Sequence, residues 1–305
     1  MQGPSATQTD RLVRRAGYAA RATAAVLRSP YGGLERIRER VSERNERSGR
    51  PYPYEADGSW HERLHAELQL PWPCVAAVEF EALWAGLVDE MTAQEHLLGR
   101  GTFGGWDDGD PALALAAFCL ARHLRPRAAV ETGVARGVTT RFLLEGLERN
   151  GAGTLSSIDL PPLIDAHWQA EVGSAVPERS RERWTLYRGS SRRWLPRVLQ
   201  RSGPIQLFVH DSMHTERNLG FELDLAWRHL APGGALLADD VDYSRGFGAF
   251  TRAVPAALAV AAPHHDGQGL FGIIVKPSLS APIERRRRAP SQGTMKSVVS
   301  TILRF

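Results

Sequence analysis

The chain has 305 residues, and 43% of them are hydrophobic, which is enough to bury a sizeable core. Its formal charge of +4 arises at the ends: residues 1–50 carry 11 Lys and Arg against 5 Asp and Glu, residues 276–305 carry 7 against 1, and the segment between them carries 20 against 28. We therefore expect no nucleic acid to bind the acidic middle, and the lack of a long apolar run or a secretory signal predicts a cytoplasmic protein.

Residues 1–57 are predicted to form a basic lead-in that is helical or partly disordered. Helical character runs from about Asp10 to Leu27 and again from Leu34 to Glu46, and residues 29–33 break it with proline and glycine. Two interpretations stay open for this segment: solvated helices, or a basic arm that contacts an anionic membrane surface or another anionic partner.

Residues 58–109 are predicted to form a helical cap segment. Helices are expected at residues 59–70 and 78–98, and the glycine-rich residues 100–110 are expected to form a loop. That loop carries an indole and three carboxylates just before the first predicted strand of the sheet. It is either a pocket wall or an ordinary capped loop.

The chain contains two cysteines, Cys74 and Cys119. They are far apart in the sequence and form no Cys-x-x-Cys pair. Their spacing therefore indicates neither a thiolate zinc site nor a disulfide framework, and it is consistent with a reducing compartment.

From residue 110 to residue 276, predicted strands and helices alternate. Asp110 and Pro111 are typical of a helix start, with a carboxylate cap and a proline at the first helical position. Strands are expected at residues 128–130, 154–159, 184–188, 205–210, 235–238 and 270–275, and helices at residues 111–124, 138–147, 215–230 and 246–261, with another beginning at residues 189–191. This order predicts an α/β fold with a doubly wound, mostly parallel sheet that binds ligands at the carboxyl ends of its strands.

The stretch from residue 128 to residue 137 predicts a strand, a tight turn and the start of a helix. Gly133 and Gly137 would let the backbone approach a ligand closely. Glu131 at the strand end would repel a diphosphate and suits a cationic or hydroxylated ligand. Asp159, at the end of the next predicted strand, can accept two hydrogen bonds from a ribose diol.

These features resemble the class I S-adenosylmethionine-dependent methyltransferases. Residues 131–137 match the ExGxxxG motif of that family, Asp159 stands where the family holds the ribose, and residues 230–234 resemble the turn before its fifth strand. The resemblance implies a seven-stranded Rossmann-like sheet and S-adenosylmethionine as the cofactor. Ser190 would lie near the adenine, where many members of the family carry an acid.

The resemblance also implies which groups contact the rest of the cofactor. Glu131, Gly133 and Gly137 would surround its methionine part, and a sulfonium cation suits an acidic pocket. The pattern GxGxxG of nicotinamide enzymes is absent, because Ala135 stands two residues after Gly133.

A second group of acids follows the fourth and fifth predicted strands. Asp211, Asp239 and Asp240, together with His214, resemble the macrocin-type sugar O-methyltransferases, in which acids at these strand ends hold Mg²⁺. The resemblance implies Asp211, Asp239 and Asp240 as metal ligands, and it makes Asp211 and His214 the candidate catalytic groups. His214 is a candidate general base, with an ordinary pKa of about 6.5.

Several alternatives stay open from the sequence. Asp211 could instead cap the helix that starts near residue 215, and His214 could be structural. The enzyme could work without a metal, using His214 or Asp211 alone. The fold could also be a non-catalytic binding module tethered by its basic termini, of which residues 277–305 either contact an anionic surface or are solvated. The acceptor, a small molecule or a sugar, and the oligomeric state are not indicated.

Overall fold

The computed structural model describes residues 30–46, 51–160, 162 and 165–279. The helix predicted at residues 10–27 and the basic tail from residue 280 onward lie outside these residues. Helix α1 spans Pro30–Glu46, so it begins earlier than the predicted Leu34. The helix begins at Pro30, since proline is well tolerated at the first position of a helix. The glycines at positions 32 and 33, which were expected to break the helix, therefore lie in its first turn.

A seven-stranded sheet forms the centre of the protein, in the order β5-β4-β3-β6-β7-β9-β8. Its strands are β3 (Ala128–Thr132), β4 (Thr154–Asp159), β5 (Trp184–Arg188), β6 (Ile205–His210), β7 (Leu230–Ala238), β8 (Leu258–Pro263) and β9 (Leu270–Val275). Strands β3 to β7 pair in parallel, and β9 runs antiparallel to both β7 and β8. The prediction of a doubly wound, mostly parallel sheet is confirmed.

Helices cover both faces of this sheet. They are α2 (Trp60–Glu67), α3 (Val75–Ala93), α4 (Pro111–Leu124), α5 (Val138–Asn150), α6 (Ala166–Glu171), α7 (Ser191–Ser202), α8 (Glu216–His229) and α9 (Gly246–Ala253). Helices α2 to α5 share one buried apolar cluster with the sheet, and α7 to α9 share the other. Within the described residues, no helix is both long enough and apolar enough to cross a lipid bilayer.

Alternation along the strands explains how one sheet serves two cores. In β6, Leu207 and Val209 belong to the cluster of α2 to α5, whereas Phe208 between them belongs to the cluster of α7 to α9. Successive side chains of a strand point to opposite faces, so a continuous apolar run is what a sheet covered on both sides requires.

Two predicted elements are wrong. The loop expected at residues 100–110 contains an antiparallel hairpin, β1 (Gly99–Phe103) with β2 (Trp106–Asp108). The helix expected at residues 246–261 ends at Ala253, and the last part of that segment belongs to strand β8. Pro255 explains the second error, because the residue before a proline is pushed out of the helical region and the chain leaves α9 extended.

Candidate functional site

The turn after β3 is tightly packed against the end of β6. Gly133 has a φ of 84°, and its N–H donates to the carbonyl of Ile158 at 2.8 Å. A Cβ at this position would overlap the backbone oxygen of Asp211, so only glycine fits. Gly137, with a φ of 88°, starts helix α5. Gly133 is therefore required first by the packing of the strand ends, and Gly137 by its left-handed backbone conformation.

Glu131 lies at the end of β3 and is only 1% exposed. Its Oε2 accepts hydrogen bonds from Thr140 Oγ1 at 2.8 Å and from Ser157 Oγ at 2.6 Å. Burial raises the pKa of Glu131 to about 7, against the opposing effect of these two hydroxyl donors. The carboxyl group of Glu131 therefore lies beneath the glycine turn with a raised pKa, and a nearby cation would favour its ionised form.

Asp159 lies at the end of β4, beside the same turn. Its Oδ1 accepts from the backbone N–H of Val134 at 3.1 Å, and the side chain remains partly exposed. Burial raises the pKa of Asp159, while the N–H of Val134 acts in the opposite direction. The strand ends therefore present an acid that still has room for a ligand.

Helix α1 closes the next strand end, at β5. Its Glu35 accepts a hydrogen bond from the backbone N–H of Ser190 at 3.2 Å through Oε2. In the same helix, the guanidinium of Arg36 lies 5.3 Å from the ring centre of Trp106 in the hairpin. Sequence reasoning missed Glu35, because 155 residues separate it from Ser190 and no local pattern joins them. The structure brings an acid to the place where Ser190 itself offers only a hydroxyl.

The buried side chain of Arg136 connects the two segments that lie above the glycine turn. The Arg136 guanidinium pairs with Asp108 at 2.8 Å and with Glu171 at 3.1 Å. It also lies 5.4 Å from the ring centres of both Phe103 and Trp168. Arg136 thereby joins the hairpin β1–β2 to the short helix α6 above the glycine turn. It occupies a variable position of the ExGxxxG motif, and its role here is structural.

The second acidic group lies at the carboxyl end of β7. Asp239, Asp240 and His264 place their possible ligand atoms within 4.8 Å of one another. His264 Nε2 lies 2.7 Å from Asp239 Oδ1, and Asp240 sits in the left-handed region with a φ of 46°. His264 follows β8 and was missed from the sequence, because its proximity to Asp239 depends on the antiparallel edge of the sheet.

The histidine and the carboxylate of this group hold each other in charged form. Burial opposes the charge of His264, but its hydrogen bond to Asp239 outweighs burial and raises its pKa to about 9. Burial likewise acts to raise the pKa of Asp239, and His264 outweighs it and lowers that pKa. Burial and the charge of Asp239 raise the pKa of Asp240.

This donor set fits a divalent cation. Two carboxylates are ligands that Mg²⁺ accepts, and the imidazole nitrogen also suits Mn²⁺ or Fe²⁺. Metal binding through His264 would require it to release its proton.

Asp211 and His214 lie beside this group without joining it. Asp211, predicted as a metal ligand together with Asp239 and Asp240, is not among the three residues that lie within 4.8 Å of one another. Burial, followed by the charges of Asp239 and Asp240, raises the pKa of Asp211 well above its usual range. His214 Nε2 is 3.7 Å from Asp240 Oδ2, and its side chain is 21% exposed.

The alternative that Asp211 caps helix α8 is wrong. Thr215 is the N-cap of that helix, and its side chain accepts from the N–H of Asn218. Asp211 instead stands free of the helix start, with its own N–H bonded to the carbonyl of Thr132 at 2.7 Å.

Residues 130–241 match the family described as "Methyltransferase domain". This part of the chain is therefore similar to methyltransferase domains. The match runs from the second half of β3 to the residue after Asp240, so it includes the glycine turn, Asp159, Ser190 and the acids at the ends of β6 and β7. The resemblance to class I methyltransferases is confirmed by this match and by the seven-stranded sheet.

The chain is also similar to several solved structures. An O-methyltransferase from Bacillus cereus, solved in complex with SAH, is 16% identical, with a TM-score of 0.46, over 72% of this chain and 98% of its own. The O-methyltransferase TomG from Streptomyces achromogenes, involved in tomaymycin synthesis and solved with SAM, is 14% identical, with a TM-score of 0.45, over 74% of this chain and 92% of its own. Sequence identity and TM-scores this low do not indicate which substrate or metal this chain binds. A search of curated proteins found no match.

Proposed function

We propose that the methyltransferase domain transfers a methyl group from S-adenosylmethionine to a hydroxyl group of a small molecule or sugar. The observation that carries this proposal is the row of acids at three neighbouring strand ends around the Gly133 turn. Glu131 lies near the end of β3, Asp159 is the last residue of β4, and Glu35 reaches the end of β5. A cofactor that carries a sulfonium cation, a ribose diol and an adenine amino group offers one partner to each.

Each acid has a separate task in this proposal. Asp159 accepts hydrogen bonds from the ribose hydroxyls, since its side chain is partly exposed. Glu131 contributes negative charge beneath the turn, and a cation nearby favours its ionised form. Glu35 accepts from the adenine amino group in place of the acid that Ser190 does not supply.

Methyl transfer needs the hydroxyl oxygen, the methyl carbon and the sulfur in line, so most of the catalysis is positioning. The methyl carbon leaves the sulfonium sulfur as its bond to the acceptor oxygen forms, and the hydroxyl proton must leave. His214 is the candidate base for that proton, because it lies beside the acids at the end of β7 and remains partly exposed.

A divalent cation, Mg²⁺ in the first instance, would be held by Asp239, Asp240 and His264. When bound, it would lower the pKa of a coordinated hydroxyl group. With or without a metal, the carboxylates of Asp239 and Asp240 would orient the acceptor, because both lie near His214.

A metal-independent version of the same transfer is the second candidate. It is favoured by the ion pair between His264 and Asp239, which holds a proton where a metal would sit. In this version His214 or Asp211 removes the hydroxyl proton alone.

The activity is tested by incubating the purified protein with methyl-labelled S-adenosylmethionine and a panel of hydroxylated acceptors. We expect label to reach at least one acceptor, with S-adenosylhomocysteine formed in equal amount. Cofactor binding without transfer to any hydroxylated compound would support a non-catalytic binding module instead.

The two versions are separated by a chelator and by Asp239→Asn. Loss of at least about tenfold in kcat under both changes, restored by Mg²⁺ or Mn²⁺ only in the wild type, supports the metal. Unchanged kcat in both, with loss in His214→Gln, supports the metal-independent version.

A further inference from the structure

Four potential metal ligands meet in the helical layer on one face of the sheet. His65 comes from α2, Cys74 is the N-cap of α3, and Cys119 and His123 lie one turn apart on α4. Helix α4 ends just before the start of β3, so the group lies toward the amino ends of the strands. The proposed cofactor site is at the opposite, carboxyl ends.

The distances within this group suit one tetrahedral ion. The Sγ atoms of Cys74 and Cys119 are 3.9 Å apart, and His123 Nε2 lies 3.2 Å from Cys74 Sγ. The possible ligand atoms of all four residues lie within 4.8 Å of one another. Two sulfurs bound to zinc at about 2.3 Å with a tetrahedral angle are about 3.8 Å apart.

His65 is oriented as a metal ligand would be. Its Nδ1 lies 2.8 Å from the carbonyl oxygen of His61, which can only accept, so Nδ1 carries the proton and Nε2 carries the lone pair. His65 is fully buried, and among the described residues Nε2 has no hydrogen-bond partner of regular geometry. A metal ion would satisfy this buried lone pair, which lies beside two thiols without a hydrogen bond of regular geometry, and a backbone carbonyl on the other ring nitrogen is a common support for a ligating histidine.

A disulfide does not explain this arrangement. Both cysteines are free thiols, and their sulfurs are almost twice as far apart as the ~2.05 Å of a disulfide bond. The two side chains are also buried, at 4% and 0% exposure for Cys74 and Cys119. Two sulfur and two imidazole donors select a soft or borderline ion such as zinc over Mg²⁺.

We propose that His65, Cys74, Cys119 and His123 bind one zinc ion that fastens helices α2 and α3 to α4. Four protein ligands complete a tetrahedral shell and leave no position for a substrate, so the site is structural. Binding replaces the protons of the two thiols, which are released to solvent. The proposed zinc site does not depend on methyl transfer, nor on whether the acids at the end of β7 bind a metal.

Metal analysis of the untagged protein tests the proposal. We expect about one zinc per chain in the wild type, and less than about a tenth of that in Cys119→Ser and His65→Gln. Asp239→Asn is the matched control, because it alters the other cluster and should leave the zinc content unchanged. Zinc lost in Asp239→Asn but kept in Cys119→Ser would overturn the assignment.

Cobalt provides a readout that needs no variant to fold. The wild-type protein, stripped of metal and refilled with Co²⁺, should show a sulfur-to-cobalt charge-transfer band and the intense d–d bands of a tetrahedral site. A mercurial reagent should release one zinc as it titrates both thiols of the native protein. No zinc and no sulfur-to-cobalt band in folded wild type, or a mass lower by two hydrogens that reports a disulfide, would refute the proposal.

Discussion

The replacement of Glu222 by glutamine should destabilise the protein strongly, although only one oxygen becomes an NH₂ group. Glu222 lies on α8 and is fully buried. Its Oε2 accepts from Thr132 Oγ1 at 2.5 Å and lies 2.6 Å from His210 Nδ1, and its Oε1 accepts from Ser212 Oγ and from Asn218 Nδ2, both at 2.8 Å. The carboxylate therefore joins the ends of β3 and β6, where Glu131 and Asp211 begin the site.

The size of the effect follows from this network. Burial acts to raise the pKa of Glu222, but the charge and hydrogen bond of His210 outweigh it and lower the pKa from 4.5 to about 2. At about 1.4 kcal/mol per pKa unit, ionised Glu222 contributes on the order of 3 kcal/mol to folding. Because the folded pKa is depressed, this stability is present above pH 4.5 and is lost as the pH falls toward 2. An amide at this position would also face donors with a donor of its own, so we expect a loss of about 3–5 kcal/mol at neutral pH.

Urea unfolding of Glu222→Gln at neutral pH measures this loss. Asp224→Asn is the control on the same helix: its exposed ion pair with Arg228 should contribute less than about 1 kcal/mol. The gap between wild type and Glu222→Gln should also narrow as the pH falls below about 4.5. A Glu222→Gln protein no less stable than Asp224→Asn would refute the reasoning.

Three further predictions concern the cofactor pocket. Arg136→Lys should weaken binding of S-adenosylhomocysteine by about tenfold in calorimetry, because lysine lacks the separate guanidinium nitrogens that pair with Asp108 and Glu171; unchanged affinity would mean that the hairpin and helix α6 joined by Arg136 play no part in binding. Glu35→Gln should weaken it by about three- to tenfold through loss of a charge-assisted hydrogen bond, and equal affinity would remove Glu35 from the adenine site. Because the pKa of Glu131 is raised to about 7, the preference for cationic S-adenosylmethionine over neutral S-adenosylhomocysteine should increase between about pH 6 and about pH 8. A flat ratio across that range would contradict the role of Glu131.

Strands β3 to β7 could be predicted from the sequence because their apolar runs end at glycine or acidic residues that mark the turns. The start of helix α4 could also be predicted from a local signal, because Asp110 and Pro111 are typical of a helix start. Asp110 does accept a hydrogen bond from the N–H of Leu113. Local signals also produced the error after α9, where an apolar segment beyond Pro255 was assigned to a helix although it forms the edge strand β8.

The parts of the site that could not be predicted depend on contacts between distant segments. Glu35 meets Ser190 only after α1 packs across the strand ends, and His264 meets Asp239 only through the antiparallel edge. The two cysteines show the same limit. Their spacing carries no metal-binding signal, yet folding brings Cys74 and Cys119 together beside two histidines.

Binding of S-adenosylhomocysteine, measured by calorimetry on the wild type and on Asp159→Asn, tests the central claim most directly. We predict one site per chain in the wild type, and affinity at least about tenfold weaker in Asp159→Asn, because the substitution removes the charge and turns one of the two acceptor oxygens into an NH₂ donor. Circular dichroism would verify that both proteins are folded. No binding by folded wild type, or equal affinity in the two proteins, would contradict the assignment of these strand ends as the cofactor site.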